Sequence, residues 1–233
     1  MACRVAFPAG CAPCGPTEGV DVKIVCLDLE GVMVPEIWIA FADRVGIPEL
    51  RRTTRDEPDY DTLMKYRLAL LQQHKLGLPD IQDVISGLDP MPGAKEFLDD
   101  LRQSYQVIIL SDTFYEFGVP FMRKLGMPTL FCHRLEAGAD GMLINYHLRM
   151  ADQKRAAVEA FKALNFGVIA AGDSYNDTAM LAAADAGILM HPPDNVVREF
   201  PQYPVARDYT TLRRLIDDAA ARKHEKPADA PKP

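Results

Sequence analysis

The fold is indicated most clearly by the segment Val22-Lys-Ile-Val-Cys-Leu-Asp28-Leu-Glu30-Gly31. Its first six residues are a short, mostly aliphatic run, which is typical of a β-strand buried on both faces of a parallel sheet. The run ends in two acidic residues, so carboxylates stand at the carboxyl end of the predicted strand.

Similar aliphatic runs recur along the chain, and stretches with helical spacing separate them. The predicted strands are Val22–Leu27, Val107–Leu110, Val168–Ala171 and Ala186–Met190. The predicted helices are Gly93–Leu101, Asp152–Leu164, Tyr175–Ala184 and Tyr209–Ala221. Because strands that alternate with helices form right-handed crossovers, this order predicts an α/β fold with a doubly wound parallel sheet.

Two stretches depart from the alternation. Residues 36–89 look entirely helical, which predicts a small helical cap inserted after the first strand. Residues 130–148 predict a β-hairpin that turns at Gly138–Gly141. The catalytic core is then expected to comprise residues 21–35 and 90–222.

Both ends of the chain are predicted to be disordered. Residues 1–20 are rich in Gly, Pro and Cys, and residues 223–233 are rich in Pro, Lys and Ala. The five cysteines include a C-x-x-C at 11–14 with no second pair for zinc, and their odd number does not indicate a disulfide framework.

The charge and hydropathy of the chain narrow the function classes. The formal net charge is -7 and no basic stripe stands out, which disfavours a nucleic-acid partner. No apolar run approaches the ~20 residues that span a bilayer, and Pro and Gly interrupt the N-terminal stretch where a signal peptide would lie. We therefore expect a cytoplasmic protein without a membrane partner. The oligomeric state stays open, with a homodimer as one alternative.

Three predicted strands end in polar residues. These segments are 28–30 (DLE), 111–113 (SDT) and 172–177 (GDSYND). Ligands of open α/β sheets bind beyond the carboxyl ends of the strands, so the acidic groups are expected to meet there. Their mutual repulsion calls for a divalent cation, and oxygen ligands favour Mg²⁺.

The motifs resemble a known family. DLEGV at 28–32, SDT at 111–113, Lys154 and GDSYND at 172–177 are similar to the four motifs of the haloacid dehalogenase superfamily, in the same order. The resemblance covers about residues 22–222. Together with PEIW and YDTLMKYR in the helical insert, the set looks most like a subgroup with phosphoserine phosphatase and phosphoserine:homoserine phosphotransferase activity.

The resemblance implies a covalent mechanism with Mg²⁺ as cofactor. Asp28 would be the nucleophile that becomes an aspartyl-phosphate. Asp28, the backbone carbonyl of Glu30 and Asp173 would hold the metal. Glu30 stands where most phosphatases of the superfamily carry a second Asp, and it would act as general acid and then as general base.

Further residues have implied roles at the phosphoryl group. Ser111 and Thr113 would bind it, and Lys154 would neutralise its charge next to the nucleophile. Arg155 is the alternative to Lys154. Asn176 and Asp177 are expected to contact the substrate or to support the metal ligands. Both residues lie at the start of the predicted helix Tyr175–Ala184.

The helical insert is expected to recognise the rest of the substrate. Glu36 would accept the ammonium of an amino acid and Arg67 would bind its carboxylate in bidentate fashion. In the alternative reading both are ordinary surface residues. Trp38 and Met64 are expected to pack the insert.

We therefore expect Mg²⁺-dependent hydrolysis of O-phospho-L-serine, with transfer of its phosphoryl group to homoserine as a second activity. Two alternatives remain at this point. One is a phosphatase of the same chemistry for another small phosphomonoester, and the other is an inactive domain kept for interactions. No nucleotide-binding glycine loop is present, which argues against an ATP-dependent kinase.

Overall fold

A computed structural model of the chain describes residues 22–53, 56–57 and 59–222. Its seven-stranded sheet has the order β4-β3-β2-β1-β5-β6-β7. The strands are β1 Lys23–Leu27, β2 Gln106–Phe114, β3 Thr129–Ala137, β4 Leu143–His147, β5 Gly167–Gly172, β6 Ala186–Met190 and β7 Val205–Ala206. The predicted disorder at 1–20 and 223–233 lies outside the described residues, as does the C-x-x-C at 11–14.

The sheet is parallel except at one edge. β1 lies between β2 and β5, and only β4, which returns from β3 as a hairpin, is antiparallel to its neighbour among the described strands. The hairpin turn carries Gly141 at a φ of +81°. Both the doubly wound parallel sheet and the hairpin insertion were predicted, and the structure confirms them.

Alternate residues of β1 contribute to different parts of the core. Val25 and Leu27 belong to one buried apolar cluster, whereas Ile24 and Cys26 belong to a second. Both faces of the strand are therefore covered. This two-sided burial is the physical reason that β1 reads as a continuous apolar run.

Nine α-helices surround the sheet in the described part of the chain. They are α1 Ile37–Val45, α2 Tyr60–Gln73, α3 Leu78–Ser86, α4 Ala94–Leu101, α5 Tyr115–Lys124, α6 Gln153–Ala163, α7 Thr178–Ala183, α8 Asp194–Glu199 and α9 Tyr209–Ala220. Short 3₁₀ helices occur at Pro48–Arg51 and Tyr175–Asp177. Across the same described residues, no helix combines the length and apolarity needed to cross a membrane.

Three sequence predictions differ from the structure. The second strand does not end at Leu110 but continues to Phe114, with a shift in its pairing to β3 over that interval. The predicted helix Tyr175–Ala184 is split, because its first turn is a 3₁₀ helix closed by the Asp177 side chain. Helices α5 and α8 and the edge strand β7 were not predicted.

The sequence pattern did not predict helix α5, because two residues that disfavour helices lie inside it. Pro120 is an interior residue of the helix. Gly118 packs closely against β3, since a Cβ there would lie 2.9 Å from the Leu130 side chain. Tertiary contact thus outweighs local helix propensity in this segment.

Helices α1, α2 and α3 form the insert between β1 and β2. Helix α3 packs on α1 and α5, and α2 packs on β4. The insert contributes its own apolar residues to the larger core cluster: Ile37, Trp38, Phe41, Met64, Leu71, Ile81 and Ile85. That residues 36–89 form a cap separate from the catalytic core stays a prediction.

Candidate active site

Asp28 is the first residue after β1, and it is 3% exposed. Its N–H donates to the Ala171 carbonyl at 2.9 Å, so the pairing of β1 with β5 continues through this residue. Its Oδ1 accepts the Leu29 N–H at 2.7 Å. The backbone therefore orients a buried carboxylate at the carboxyl edge of the sheet.

Gly31 allows the turn after β1 to approach β5. Its φ is +76°, and a Cβ at this position would lie 2.7 Å from Cγ of Asp173. Glycine meets both demands, a left-handed backbone and a close approach to a neighbouring side chain. The turn thereby packs directly on the Asp173 carboxylate.

Asp28, Asp173 and Asp177 form a buried acidic cluster, with one carboxylate oxygen from each within 4.8 Å of the others. Burial, followed by the charge of Asp177, raises the pKa of Asp28 well above its ordinary value. The same two causes raise the pKa of Asp173 to about 7. When the three carboxylates are ionised, their negative charge exceeds the positive charge around them. Their oxygen donors fit a cation such as Mg²⁺.

Asp177 already has a full set of partners. Its Oδ1 accepts from Lys154 Nζ at 2.8 Å, and its Oδ2 accepts the N–H groups of Asp173 at 2.9 Å and Ser174 at 3.1 Å. It is fully buried. Asp28 and Asp173 are therefore the cluster carboxylates best placed to hold a cation.

Lys154 is surrounded by carboxylates. Its Nζ lies 2.9 Å from Asp28 Oδ1, 2.8 Å from Asp177 Oδ1 and 3.6 Å from Asp112 Oδ2. Burial alone would lower the pKa of Lys154, but the charges of Asp177, Asp28 and Asp112 raise it well above its ordinary value. The ammonium is thus charged at neutral pH and fixed beside Asp28.

Arg155, the alternative to Lys154, points elsewhere. Its guanidinium forms ion pairs with Asp152 and, at 3.0 Å, with Glu159 on the exposed side of α6. Lys154, the preceding residue of the same helix, is the buried one. Of the two cations considered, the structure brings Lys154 to Asp28.

Ser111 and Thr113 are buried in the last part of β2. The Thr113 N–H donates to Ser111 Oγ at 3.2 Å, which leaves the Ser111 hydroxyl hydrogen for another acceptor. The Thr113 side chain hydrogen-bonds to the Glu30 carboxylate and lowers its pKa. The two hydroxyls therefore face different groups of one site.

Asp112, between these two residues, has contacts that the sequence analysis did not foresee. Gln153 Nε2 donates to its Oδ1 at 3.2 Å, and Asn176 Nδ2 donates to its Oδ2 at 3.3 Å. Burial would raise the pKa of Asp112, but Lys154, the His133 ring at 3.7 Å and hydrogen bonds from Gln153 and Asn176 hold it well below its usual range. No spacing in the sequence marks these partners.

The Glu30 carboxylate lies at the start of α1, where Oε2 accepts the Ile37 N–H at 2.9 Å. Burial and the nearby charge of Glu36 raise the pKa of Glu30 to about 7, against the opposing effects of the Ile37 N–H, Thr113 and Arg67. A carboxyl group with this pKa exchanges protons near neutral pH. That property suits general acid–base catalysis.

Arg67 is 6% exposed, although it is charged. Its Nη2 donates to the Arg52 carbonyl at 2.7 Å, its Nη1 lies 3.9 Å from Met64 Sδ, and its guanidinium carbon lies 4.4 Å from the Trp38 ring centroid. Burial lowers the pKa of Arg67 to about 10, which still leaves it charged at neutral pH. Its buried Nε has no hydrogen-bond partner among the described residues.

One cavity of ≈ 430 Å³ unites these groups. Nine of the ten predicted site residues line it: Asp28, Glu30, Glu36, Arg67, Ser111, Thr113, Lys154, Asp173 and Asn176. The tenth, Asp177, lies behind Lys154. Lining residues that the sequence analysis did not single out for the site include Tyr60, Asp112 and His191.

The chain matches the family model of haloacid dehalogenase-like hydrolases over residues 22–185. It belongs to this family. The predicted membership in the haloacid dehalogenase superfamily is thus confirmed, and the matched segment contains the two insert residues and the whole acidic cluster.

Two bacterial relatives share most of the chain. A protein named phosphoserine phosphatase from Pseudomonas syringae pv. tomato is 59% identical over 202 residues, which are 87% of this chain and 85% of the relative. Phosphoserine phosphatase ThrH from Pseudomonas aeruginosa is 59% identical over 201 residues, which are 86% of this chain and 98% of the relative.

Solved structures agree with the fold. A substrate-bound phosphoserine phosphatase complex superposes with a TM-score of 0.69 at 21% identity and covers 84% of this chain and 98% of that one. A phospho-aspartyl intermediate analogue of phosphoserine phosphatase superposes with a TM-score of 0.68 at 19% identity and covers 85% and 99%. At identities this low, the two comparisons establish only the fold of this hydrolase.

The two predicted substrate-recognition residues of this hydrolase differ in their surroundings. Glu36 is exposed at the N-terminus of α1, whereas Arg67 is buried on α2. Trp38 and Met64 pack the insert, as expected, but both also contact Arg67. Their side chains therefore contribute to the site and not only to the core.

Proposed function

We propose that this hydrolase cleaves O-phospho-L-serine with Mg²⁺ and an aspartyl-phosphate intermediate on Asp28. The observation that carries the proposal is a buried, charged Arg67 that lines the same cavity as the Asp28–Lys154 pair and whose Nε has no hydrogen-bond partner among the described residues. The names of the two relatives at 59% identity support phosphoserine as the substrate.

In the first step, an Asp28 carboxylate oxygen attacks phosphorus in line and the bond from phosphorus to the serine oxygen breaks. Lys154 and the Ser111 hydroxyl stabilise the charge on the phosphoryl oxygens. Protonated Glu30 gives its proton to the departing serine oxygen. Its pKa of about 7 keeps a protonated fraction at neutral pH.

In the second step, the Glu30 carboxylate takes a proton from water, and the resulting hydroxide attacks the phosphorus of phospho-Asp28. The bond from phosphorus to the Asp28 oxygen breaks, which releases inorganic phosphate and regenerates both carboxyl groups. The Ile37 N–H and Thr113 orient Glu30 for both transfers.

Asp28 and Asp173 would hold Mg²⁺ through their side chains and Glu30 through its backbone carbonyl. The fit rests on the oxygen donors of the buried cluster and on the raised pKa values of Asp28 and Asp173. A bound cation supplies charge neutralisation, which favours the ionised nucleophile and offsets the charge of the phosphoryl group.

The amino-acid end of the substrate is assigned to the helical insert. Arg67 binds the carboxylate through charge-assisted N–H groups, and Glu36 accepts the ammonium. The same two residues can hold homoserine, whose hydroxyl lies one methylene further out. Transfer of the phosphoryl group to homoserine is therefore a second candidate activity.

The deciding experiment measures phosphate release from a panel of phosphomonoesters by wild type, Arg67→Ala and Arg155→Ala. Loss of a charge-assisted contact costs roughly 1.5–3 kcal/mol, so Arg67→Ala should raise KM for phosphoserine by about 10- to 150-fold. KM for p-nitrophenyl phosphate, which lacks a carboxylate, should stay within about twofold by the same reasoning.

Arg155→Ala is the matched control, because it removes an arginine that pairs with Asp152 and Glu159 outside the cavity. It should leave both substrates unaffected. If Arg67→Ala weakened both substrates equally, the alternative of a phosphatase for another small phosphomonoester would replace this proposal.

A further inference from the structure

We propose that Trp38 is a positioning residue for substrate selection, because its indole face orients the Arg67 guanidinium that receives the substrate carboxylate. The inference rests on the proposed function, in which Arg67 binds that carboxylate. It assigns to Trp38 a role beyond the packing of the helical insert, and it can fail independently of the proposed function.

The guanidinium of Arg67 is held from three directions. The Trp38 ring covers one face at 4.4 Å, the Arg52 carbonyl accepts from Nη2 at 2.7 Å, and Met64 Sδ lies 3.9 Å from Nη1. A planar group that is fixed by a face contact and by an in-plane acceptor keeps little rotational freedom. Its Nε, which is also buried, has no partner in the described part of the chain.

Trp38 is itself fixed in place. It is 8% exposed and lines the cavity, and its ring makes edge-on contacts with Phe117 at 5.3 Å and Phe41 at 6.3 Å between centroids. Phe117 belongs to α5, which follows β2 directly. Contacts with the core therefore fix the Trp38 ring, and the ring in turn restricts the position of Arg67, which lies on a helix of the insert.

Trp38 also links specificity to the acid–base group. It is the second residue of α1, and the residue before it, Ile37, donates its N–H to Glu30 at 2.9 Å. The first turn of one helix thus orients both Glu30 and the guanidinium plane. A carboxylate bound by Arg67 is thereby placed at a set position relative to Glu30.

The first test compares Trp38→Leu and Trp38→Phe in the full chain. Leucine keeps an apolar side chain but has no π face, whereas phenylalanine keeps a smaller one. We expect Trp38→Leu to raise KM for phosphoserine about tenfold, which corresponds to about 1.4 kcal/mol and lies within the range for a desolvated cation–π contact. Trp38→Phe should raise it less, and KM for p-nitrophenyl phosphate should change little with either.

Two controls separate positioning from packing. Phe41→Leu removes a buried aromatic ring of the same helix that contacts Trp38 edge-on, and it should not distinguish the two substrates. In the Arg67→Ala background, Trp38→Leu should raise KM for phosphoserine no further, because Trp38 acts through Arg67. Multiplicative effects of the two substitutions, or equal effects of Trp38→Leu on both substrates, would overturn the inference.

A second measurement does not depend on turnover. Trp38 is the single tryptophan of the chain, so its fluorescence reports on this site alone. In Asp28→Asn, phosphoserine should change the emission, while phosphoethanolamine, which lacks the carboxylate, should change it much less. Arg67→Ala should abolish the difference between the two ligands.

The outcomes distinguish the inference from the proposed function. If Arg67→Ala selectively weakens phosphoserine but Trp38→Leu and the fluorescence do not discriminate, the role of Trp38 is wrong and the proposed function stands. If Arg67→Ala itself does not discriminate between the two substrates, the proposed function and the inference both fall.

Discussion

Lys154 Nζ lies 2.9 Å from Asp28 Oδ1, and each of the two side chains is about 95% or more buried. The pair joins the first strand of the sheet to the start of α6, across 126 positions of sequence. Lys154 is also the partner of Asp177, and buried carboxylates that lose their cation are costly, so Lys154 is expected to matter for stability as well as for catalysis.

Lys154→Met should remove activity and lower stability. The methionine fills a similar volume but leaves Asp28 and Asp177 without their shared cation, and breaking a buried pair costs about 3–5 kcal/mol. Phosphate release and thermal melting with and without Mg²⁺ measure the two effects. Arg155→Ala, in the next position but exposed, is the control and should melt like the wild type. Retention of full activity by Lys154→Met would contradict the assigned role.

Asp28→Asn should abolish turnover while the protein stays folded. An amide is a very poor nucleophile toward phosphorus, and it removes one of three crowded carboxylates, so metal-free Asp28→Asn should melt no lower than metal-free wild type. Mass spectrometry of acid-quenched reactions should find a phosphorylated protein in the wild type only. The surface substitution Asp99→Asn is the control. Substantial activity in Asp28→Asn would exclude the covalent mechanism.

The metal-free protein should lose stability as the pH rises from about 4 to 7. Glu30 and Asp173 have pKa values raised to about 7, above unfolded values of about 4.3 and 3.9. In that window the folded state binds more protons than the unfolded state, so unfolding becomes easier with rising pH. Denaturant unfolding in EDTA across the window measures the slope.

Two further arms identify the groups responsible for this pH dependence. Asp173→Asn should reduce the slope, because it removes one of the carboxyl groups whose pKa is raised in the folded state. Mg²⁺ should stabilise the wild type more at pH 7.5 than at pH 5.5, since the cation competes with protons for the same carboxylates. The same slope in wild type and Asp173→Asn would rule out this assignment.

Gly31→Ala should damage the site more than Gly46→Ala does. Both glycines have a positive φ, +76° and +72°, so alanine carries a similar backbone cost of about 1–2 kcal/mol at each position. A Cβ at Gly31 would also meet the Asp173 carboxylate at 2.7 Å, whereas nothing lies within 4 Å of one at Gly46. Activity should therefore fall only in Gly31→Ala. Equal losses of activity in both variants would show that the contact with Asp173 is unimportant.

Homoserine should divert the phosphoryl group from water. In the proposed mechanism, phospho-Asp28 persists after serine departs, and Glu30 would take the proton of whichever hydroxyl lies in line with phosphorus, about 3–3.5 Å away. ³¹P NMR of enzyme, phosphoserine and millimolar homoserine should show phosphohomoserine as well as inorganic phosphate. Ethanolamine, which has the hydroxyl and ammonium without the carboxylate, is the control acceptor and should yield less transfer. Inorganic phosphate alone at every homoserine concentration would leave a phosphatase without this second activity.

The local sequence determined most of the strands and the acidic residues that follow β1 and β5. Buried strands such as Lys23–Leu27 and Ala186–Met190 need apolar residues on both faces, so their composition marks them without any knowledge of their neighbours. Parallel strands carry their ligand-binding residues at the carboxyl end. This is why Asp28, Ser111 and Asp173 could be placed in one site before the sheet order was known.

Contacts between distant segments were decided by the tertiary structure. Lys154 and Arg155 are adjacent in sequence but lie on different sides of α6. The packing of that helix on the sheet brings Lys154, and not Arg155, to Asp28. Trp38 and Arg67 lie on different helices and meet through the packing of the insert. Periodicity records whether a residue is buried, but not which partner it meets, because the partner is set by how whole elements pack.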